Sequence, residues 1–184
     1  MRRVRYNVAA SLDGFIAGPD GEYDWIPDDP SVDFAAIFAN VDTVLVGRRS
    51  YEQALREGGG WWKKEMRVHV FSRTLDPAEH PGVTVVSEGA AEVVAALRAE
   101  PGDGDIWLFG GGELFGRLLA AGQVDSVEVT VVPVLLGSGV PLLPPGGPRA
   151  TLVLAALHRY PSGMVTLTYT VPDAAPGSAR ETGG

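Results

Sequence analysis

The sequence predicts an α/β fold, a mixed and mainly parallel sheet flanked by helices, with an antiparallel hairpin at its C-terminal edge. Three observations predict it. Short apolar runs alternate with segments of helical period along most of the chain. The last two strand-like runs, residues 152–158 and 164–171, are joined by Tyr160-Pro161-Ser162-Gly163, which reads as a hairpin. In between lies the stretch that organises the rest. Ile106-Trp107-Leu108-Phe109 is an unbroken apolar run, Gly110-Gly111-Gly112 follows, and Leu114, Phe115, Leu118 and Leu119 then recur at helical spacing. This is strand, tight glycine turn, helix. Early alternation with a late hairpin means parallel strands at the centre and antiparallel ones at an edge.

Each element has its own signal. In residues 4–10, Val4, Tyr6 and Val8 alternate with Arg5 and Asn7, the pattern of a first strand. Ser11-Leu12-Asp13-Gly14 is a turn, Phe15-Ile16-Ala17 a short apolar segment, and Gly18-Pro19-Asp20-Gly21 a second turn. A loop with two such turns can cover a ligand, or it is plain surface. Trp25 and Ile26 precede a rigid polar break, Pro27-Asp28-Asp29-Pro30. Ser31 is the expected N-cap of a helix with the stripe Phe34, Ile37 and Phe38. Residues 43–46 form a second buried strand that runs into Gly47-Arg48-Arg49-Ser50 and a short helix through Tyr51 and Leu55. A glycine-rich loop carries Trp61 and Trp62. Residues 68–71 are the third strand, ending in Ser72-Arg73, and residues 83–86 the fourth. Alanine-rich residues 90–98 are a helix, ended by Pro101-Gly102-Asp103-Gly104 ahead of the central strand. Residues 127–132 are a strand that leads into an apolar loop broken by glycine and proline as far as Pro141. Residues 1–172 are expected to form one domain, and residues 173–184, poor in apolar side chains, a disordered tail.

Composition excludes several classes. A net charge of −8 over 184 residues argues against a nucleic-acid partner, which needs a basic face. The absence of cysteine removes thiol chemistry, and His69, His80 and His158 have no ligand spacing, so no metal site is expected. No apolar run is long enough to span a membrane and no signal segment is read at the start, so the chain is read as cytoplasmic. The apolar loop over residues 134–143 calls for a cover, and a homodimer is one way to supply it.

The candidate site is anionic in its preference. The helix opening at Glu113 presents unpaired N–H groups and partial positive charge beside a bare glycine surface, where a phosphate-bearing ligand fits, although a tight connection with no ligand has the same sequence. It is neither a P-loop, which needs Gly-Lys-Ser/Thr at its end, nor the dinucleotide fingerprint, which needs glycine at Phe115. Two arginines opening a helix oppose its dipole, so Arg48 and Arg49 are explained by a ligand phosphate or else by solvation. Ser72-Arg73 repeats the pattern. All three groups follow strand ends, where ligands of such sheets collect.

Taken in order, Ser11-Leu12-Asp13-Gly14-Phe15-Ile16-Ala17, Gly47-Arg48-Arg49-Ser50-Tyr51, Phe71-Ser72-Arg73 and Phe109-Gly110-Gly111-Gly112 resemble the dihydrofolate reductase-like family, in the branch related to the reductase domain of riboflavin biosynthesis. The resemblance covers residues 2–171 and implies a three-layer fold with NADPH as cofactor. It implies that Gly47, Arg48, Arg49, Ser50, Ser72 and Arg73 hold the 2′-phosphate and pyrophosphate, and that Gly110, Gly111, Gly112, Glu113 and Leu114 hold the pyrophosphate end nearer the nicotinamide. A cis peptide between Gly110 and Gly111 is implied with them. Ala10 and Ile16 would flank the nicotinamide, and Trp25, Phe34, Tyr51 and Thr130 would border a small-molecule substrate.

The similar reductases keep an acid on the first helix, five residues after a tryptophan. Here Pro30 stands at that distance from Trp25, and Asp33 comes three residues later. Asp33 is the candidate proton donor, with the helix dipole as its alternative role. The implied activity is hydride transfer from NADPH to a small C=N or C=O substrate. The riboflavin-pathway reductase of 5-amino-6-(5-phosphoribosylamino)uracil and a non-catalytic NADP-binding protein are the alternatives.

Overall fold

The protein, as a computed structural model, is described over residues 1–59 and 62–172. The expected tail, 173–184, lies outside the described residues, as does Trp61. The strands are β1 (Val4–Ser11), β2 (Phe15–Ala17), β3 (Val41–Gly47), β4 (Arg67–Phe71), β5 (Thr84–Val86), β6 (Asp105–Gly110), β7 (Ser126–Val132), β8 (Val140–Pro141), β9 (Val153–Arg159) and β10 (Val165–Thr170). The α-helices are α1 (Phe34–Ile37), α2 (Arg48–Arg56), α3 (Ala90–Ala99) and α4 (Gly112–Ala120).

Eight strands make one sheet in the order β5-β4-β3-β6-β1-β7-β10-β9. The pairs from β5 across to β7 are parallel, and β10 joins β7 and β9 antiparallel. This is the mainly parallel sheet with an antiparallel C-terminal edge that the sequence predicts. β2 and β8 pair separately as a small antiparallel ribbon. Two residues of strand inside a glycine- and proline-broken loop carry no periodicity, so β8 has no sequence signal.

Alternation in β1 divides the protein into layers. Val4, Tyr6 and Ala10 face α3 and α4, in a core with Leu45, Ile106, Leu108, Phe115 and Leu118. The Tyr6 ring stacks on Phe115 with centroids 4.0 Å apart. Burying each such side chain contributes about 1.5–3 kcal/mol. On the other face Val44, Val46, Tyr51, Val68, Val70 and Trp107 form a second core. At the N-terminal end of the sheet, Arg98 donates two hydrogen bonds of 2.8 Å to Asp125, which also accepts the Val4 N–H at 2.7 Å. That pair ties α3 to the start of β1 and β7.

One element differs from expectation. α1 is one turn long, and Asp33, not Ser31, is its N-cap. β9 is exposed along its whole length, with Val153, Leu154 and Leu157 each more than half exposed. In the loop after β7, Leu142 and Leu143 pack against the first core, while Leu135 and Val140 stay exposed.

Candidate active site

A cleft of about 1300 Å³ runs along the carboxyl ends of the strands. Its character is set by how three helices begin. The N-caps of α2, α3 and α4 are Gly47, Gly89 and Gly111, and none provides a side-chain hydrogen bond to its helix. All three glycines line the cleft. A serine or aspartate at such a position would satisfy one of the orphan N–H groups. Glycine leaves them, with the positive ends of three helices, facing one space.

The glycine turn is closely fitted. The peptide between Gly110 and Gly111 is cis, and Gly110 has φ of +140°. A Cβ on Gly47 would lie 3.4 Å from the Gly111 nitrogen, so β3 and β6 deliver their two turns side by side. A Cβ on Gly112 would come 2.7 Å from the Pro141 carbonyl oxygen.

The cations differ in availability. Arg48 is paired with Glu52 one helical turn on, at 2.9 Å. Arg49 and Arg73 are exposed, line the cleft, and have no side-chain partner among the described residues. Ser72 is buried, and its Oγ accepts the N–H groups of Thr74 and Leu75, which fixes the turn that presents Arg73.

The other half of the cleft is largely aromatic. Phe38 packs on Trp107 with centroids 4.1 Å apart, and Trp107 meets Phe109 edge-on at 5.0 Å. Phe34 and Ile37 of α1 and Met164 complete this wall. Asn7 and Thr130 supply its polar groups, and Thr130 shares a 2.7 Å hydrogen bond with Thr166 across β7 and β10.

The cleft gathers Ile16, Phe34, Gly47, Arg48, Arg49, Ser50, Ser72, Arg73, Gly110, Gly111, Gly112, Glu113, Leu114 and Thr130. Four candidates lie elsewhere. Ala10 is buried in the first core, since its side chain alternates to the α3–α4 face, and its neighbour Ala9 lines the cleft instead. Tyr51 is buried in the second core, with its hydroxyl 3.2 Å from Nδ1 of His80. Trp25 turns its Nε1 to the Glu22 carbonyl and is not part of the lining. Asp33 is exposed and accepts the Ala36 N–H at 2.9 Å, so the structure gives it the capping role.

Of the several acids that line the cleft, Asp29 is the one that the fold encloses. It is buried and accepts hydrogen bonds from the Ser31 N–H at 2.9 Å, the Ser31 hydroxyl at 2.5 Å and the Ser162 N–H at 3.3 Å. Hydrogen bonds from Ser162 and Ser31 hold its carboxyl down to about 2, so it is ionised at neutral pH. One of those three hydrogen bonds comes from 133 residues downstream, which explains why sequence does not distinguish Asp29 from Asp28. Gly89, by contrast, stands directly before a predicted helix and was readable as its N-cap. Among the described residues, no cluster of His, Asp and Glu is arranged to hold a metal ion. Nor is any helix among them long and apolar enough to cross a membrane.

Comparison with known proteins agrees with this architecture. YyaP, an uncharacterized protein of Bacillus subtilis, is 32% identical over 179 residues, which span 91% of this chain and 94% of the relative. A solved protein from Shewanella sp. PV-4 that carries a riboflavin-biosynthesis name superposes with a TM-score of 0.78 at 26% identity, covering 93% of this chain and 99% of that one. Dihydrofolate reductase from Enterococcus faecalis, solved in complex with NADP(H) and RAB-propyl, superposes with a TM-score of 0.67 at 17% identity, covering 93% of this chain and 97% of that one. Sheet order and helix placement together define a fold of dihydrofolate reductase-like architecture. Within that class the chain belongs to the RibD C-terminal domain family, which it matches over residues 2–166.

Proposed function

We propose that this protein is an NADPH-dependent reductase that delivers hydride to a small C=N or C=O substrate. One observation carries the reading: three helices open at one cleft on glycine N-caps without side-chain caps, beside Arg49 and Arg73, which have no side-chain partner among the described residues. That is a site for a ligand with several separated negative charges. NADPH has a pyrophosphate and a 2′-phosphate, and the E. faecalis reductase of the same fold was solved with it.

Arg49 and Arg73 would hold the 2′-phosphate, and the N–H groups opening α4 the pyrophosphate. Ile16 and Ala9 would border the ring end. The bound cofactor supplies the hydride. The chain's own contribution is to orient the two reactants and exclude water, with Trp107, Phe34 and Phe38 forming an apolar wall on the substrate side. With the Asp29 carboxyl held well below the usual carboxylate range and Asp33 engaged as a helix cap, we assign the proton to solvent or the substrate.

The test has two stages. NADPH and NADH are first titrated against the protein; failure to bind NADPH sinks the reading. NADPH consumption is then screened with pteridines, pyrimidines and small carbonyl compounds. Tight NADPH binding without turnover of any of them favours a binding protein instead.

A further inference from the structure

The wall of the substrate half hides a charged group whose effect on the cleft is indirect. Asn7 and Glu128 are register partners on β1 and β7. Glu128 is buried, and Arg5 donates to its two oxygens at 2.8 and 2.9 Å. Burial pushes the Glu128 carboxyl up, but the hydrogen bonds from Arg5 and Asn7 more than reverse this and keep it below the usual carboxylate range. An ionised carboxylate only accepts hydrogen bonds. The Asn7 side chain, 2.9 Å from Oε2 of Glu128, must therefore turn its NH₂ inward. Its Oδ1 accepts no hydrogen bond from the rest of the described chain, and Asn7 lines the cleft.

Arg5 adds no charge to the cleft. It is consumed by Glu128 and by Asp105, the latter at 3.2 Å. The cations that line the cleft stand on α2, after β4 and on α4: Arg48, Arg49, Arg56, Arg73 and Arg117. β1, β7, α1 and the segment leading to α1 contribute neutral groups and the carboxylates Asp20, Asp28 and Asp29. A phosphate among these would meet like charge and no counter-charge.

Resting on the reductase reading, we propose that the substrate half takes a flat, uncharged ring without a phosphate, and that Asn7, held by Glu128, reads one N–H donor on it. Trp107, Phe34 and Phe38 supply the faces for the ring. The Asn7 amide oxygen supplies an acceptor fixed in direction, and Glu128 is the positioning residue behind it.

Three probes test this on the full chain saturated with NADPH: uridine, 3-methyluridine and uridine 5′-monophosphate. Uridine is expected to bind, and its phosphate to give no gain. Methylation of the ring N–H should weaken binding about tenfold. Asn7→Leu should weaken uridine by a similar factor, with no further loss on methylation, because both changes remove one hydrogen bond. Glu128→Gln, which lets the neighbouring amide turn round, should give a smaller loss. NADPH affinity should stay unchanged in both variants, which shows that they fold. The inference is overturned if uridine does not bind, if the phosphate tightens binding tenfold, or if Asn7→Leu leaves uridine and 3-methyluridine distinguished. A protein that binds uridine through Asn7 without binding NADPH would leave this inference standing and overturn the reductase reading.

Discussion

A Cβ on Gly112 would approach the Pro141 carbonyl oxygen to 2.7 Å and that of Leu142 to 2.9 Å. The first turn of α4 therefore lies directly against β8 and the chain that follows it, and the loop after β7 is locked to the glycine turn. Both contacts are backbone, which cannot swing aside as a side chain can. Gly112→Ala should act as overpacking does, at about 1–3 kcal/mol. In a domain of this size that is a fall in melting temperature of roughly 2–12 °C. NADPH affinity should fall with it, because the loop or the helix start must shift. A variant with unchanged melting temperature and unchanged affinity would show that β8 is not held where the contact puts it.

The arginines should not be equivalent. Arg49 and Arg73 have no side-chain partner among the described residues, whereas Arg48 is held by Glu52 at 2.9 Å. A charge-assisted hydrogen bond to a phosphate contributes about 1.5–3 kcal/mol, or roughly 10- to 100-fold in affinity. Arg49→Ala and Arg73→Ala should each weaken NADPH by about that factor and NADH much less. Arg48→Ala should do less, and Glu52→Gln, which releases Arg48, should tighten NADPH. Paired titrations of the two nucleotides decide it; equal losses for both would mean that these arginines do not read the 2′-phosphate.

What the sequence made legible was what repeats locally. The apolar run 106–109, its glycines and the helical stripe behind them lie within one short stretch, and each signal reinforced the next. The cofactor-side candidates other than Ala10 fell on the cleft because a strand's end fixes where the next residues go. Side-chain direction was less legible. Ala10 and Ala9 are adjacent and chemically identical, and only strand pairing decides which one lines the cleft. Tyr51 went to the core because the α2 face that carries it packs on β3 and β4. The partnership of Asn7 with Glu128 joins residues 121 apart, and no local period encodes it.

Asp13 should control the loop that carries β2. Its carboxylate accepts the Ser11 hydroxyl at 2.6 Å and the Gly137 and Leu136 N–H groups at 2.7 and 3.1 Å. The bonds from Ser11 and Gly137 lower its carboxyl from an ordinary 3.8 to about 2. A group lowered by folding contributes stability that is complete above its unfolded value and is lost as pH falls through the folded value. Asp13→Asn should therefore lower the melting temperature at neutral pH, and its deficit should shrink between about pH 4 and about pH 2. A deficit that stays constant across that window in acid melts would mean that the carboxylate charge is not what holds the loop.

Asp29 and Asp33 lie four positions apart and should respond in opposite ways. Asp33 is exposed, and its carboxylate accepts the Ala36 N–H that opens α1. Removing an N-cap costs about 0.5–2 kcal/mol, so Asp33→Ala should lower the melting temperature by a few degrees. Turnover should change little, since the side chain is not part of the cleft lining. Asp29 lines the cleft, but hydrogen bonds from Ser162 and Ser31 lower it from an ordinary 3.8 to about 2. Its stabilising contribution is thus complete above about pH 4 and lost as pH falls through about 2, and Asp29→Asn should remove that part of the acid transition. Because Asp29 is already ionised, it cannot supply a proton near neutrality. The ratio of Asp29→Asn to wild-type turnover should then be constant from about pH 5 to about pH 8. A ratio that falls about 100-fold across this range would identify Asp29 as the proton donor. A comparable fall for Asp33→Asn, without loss of melting temperature, would return that role to Asp33 and require α1 to turn its first residue into the cleft when substrate is bound.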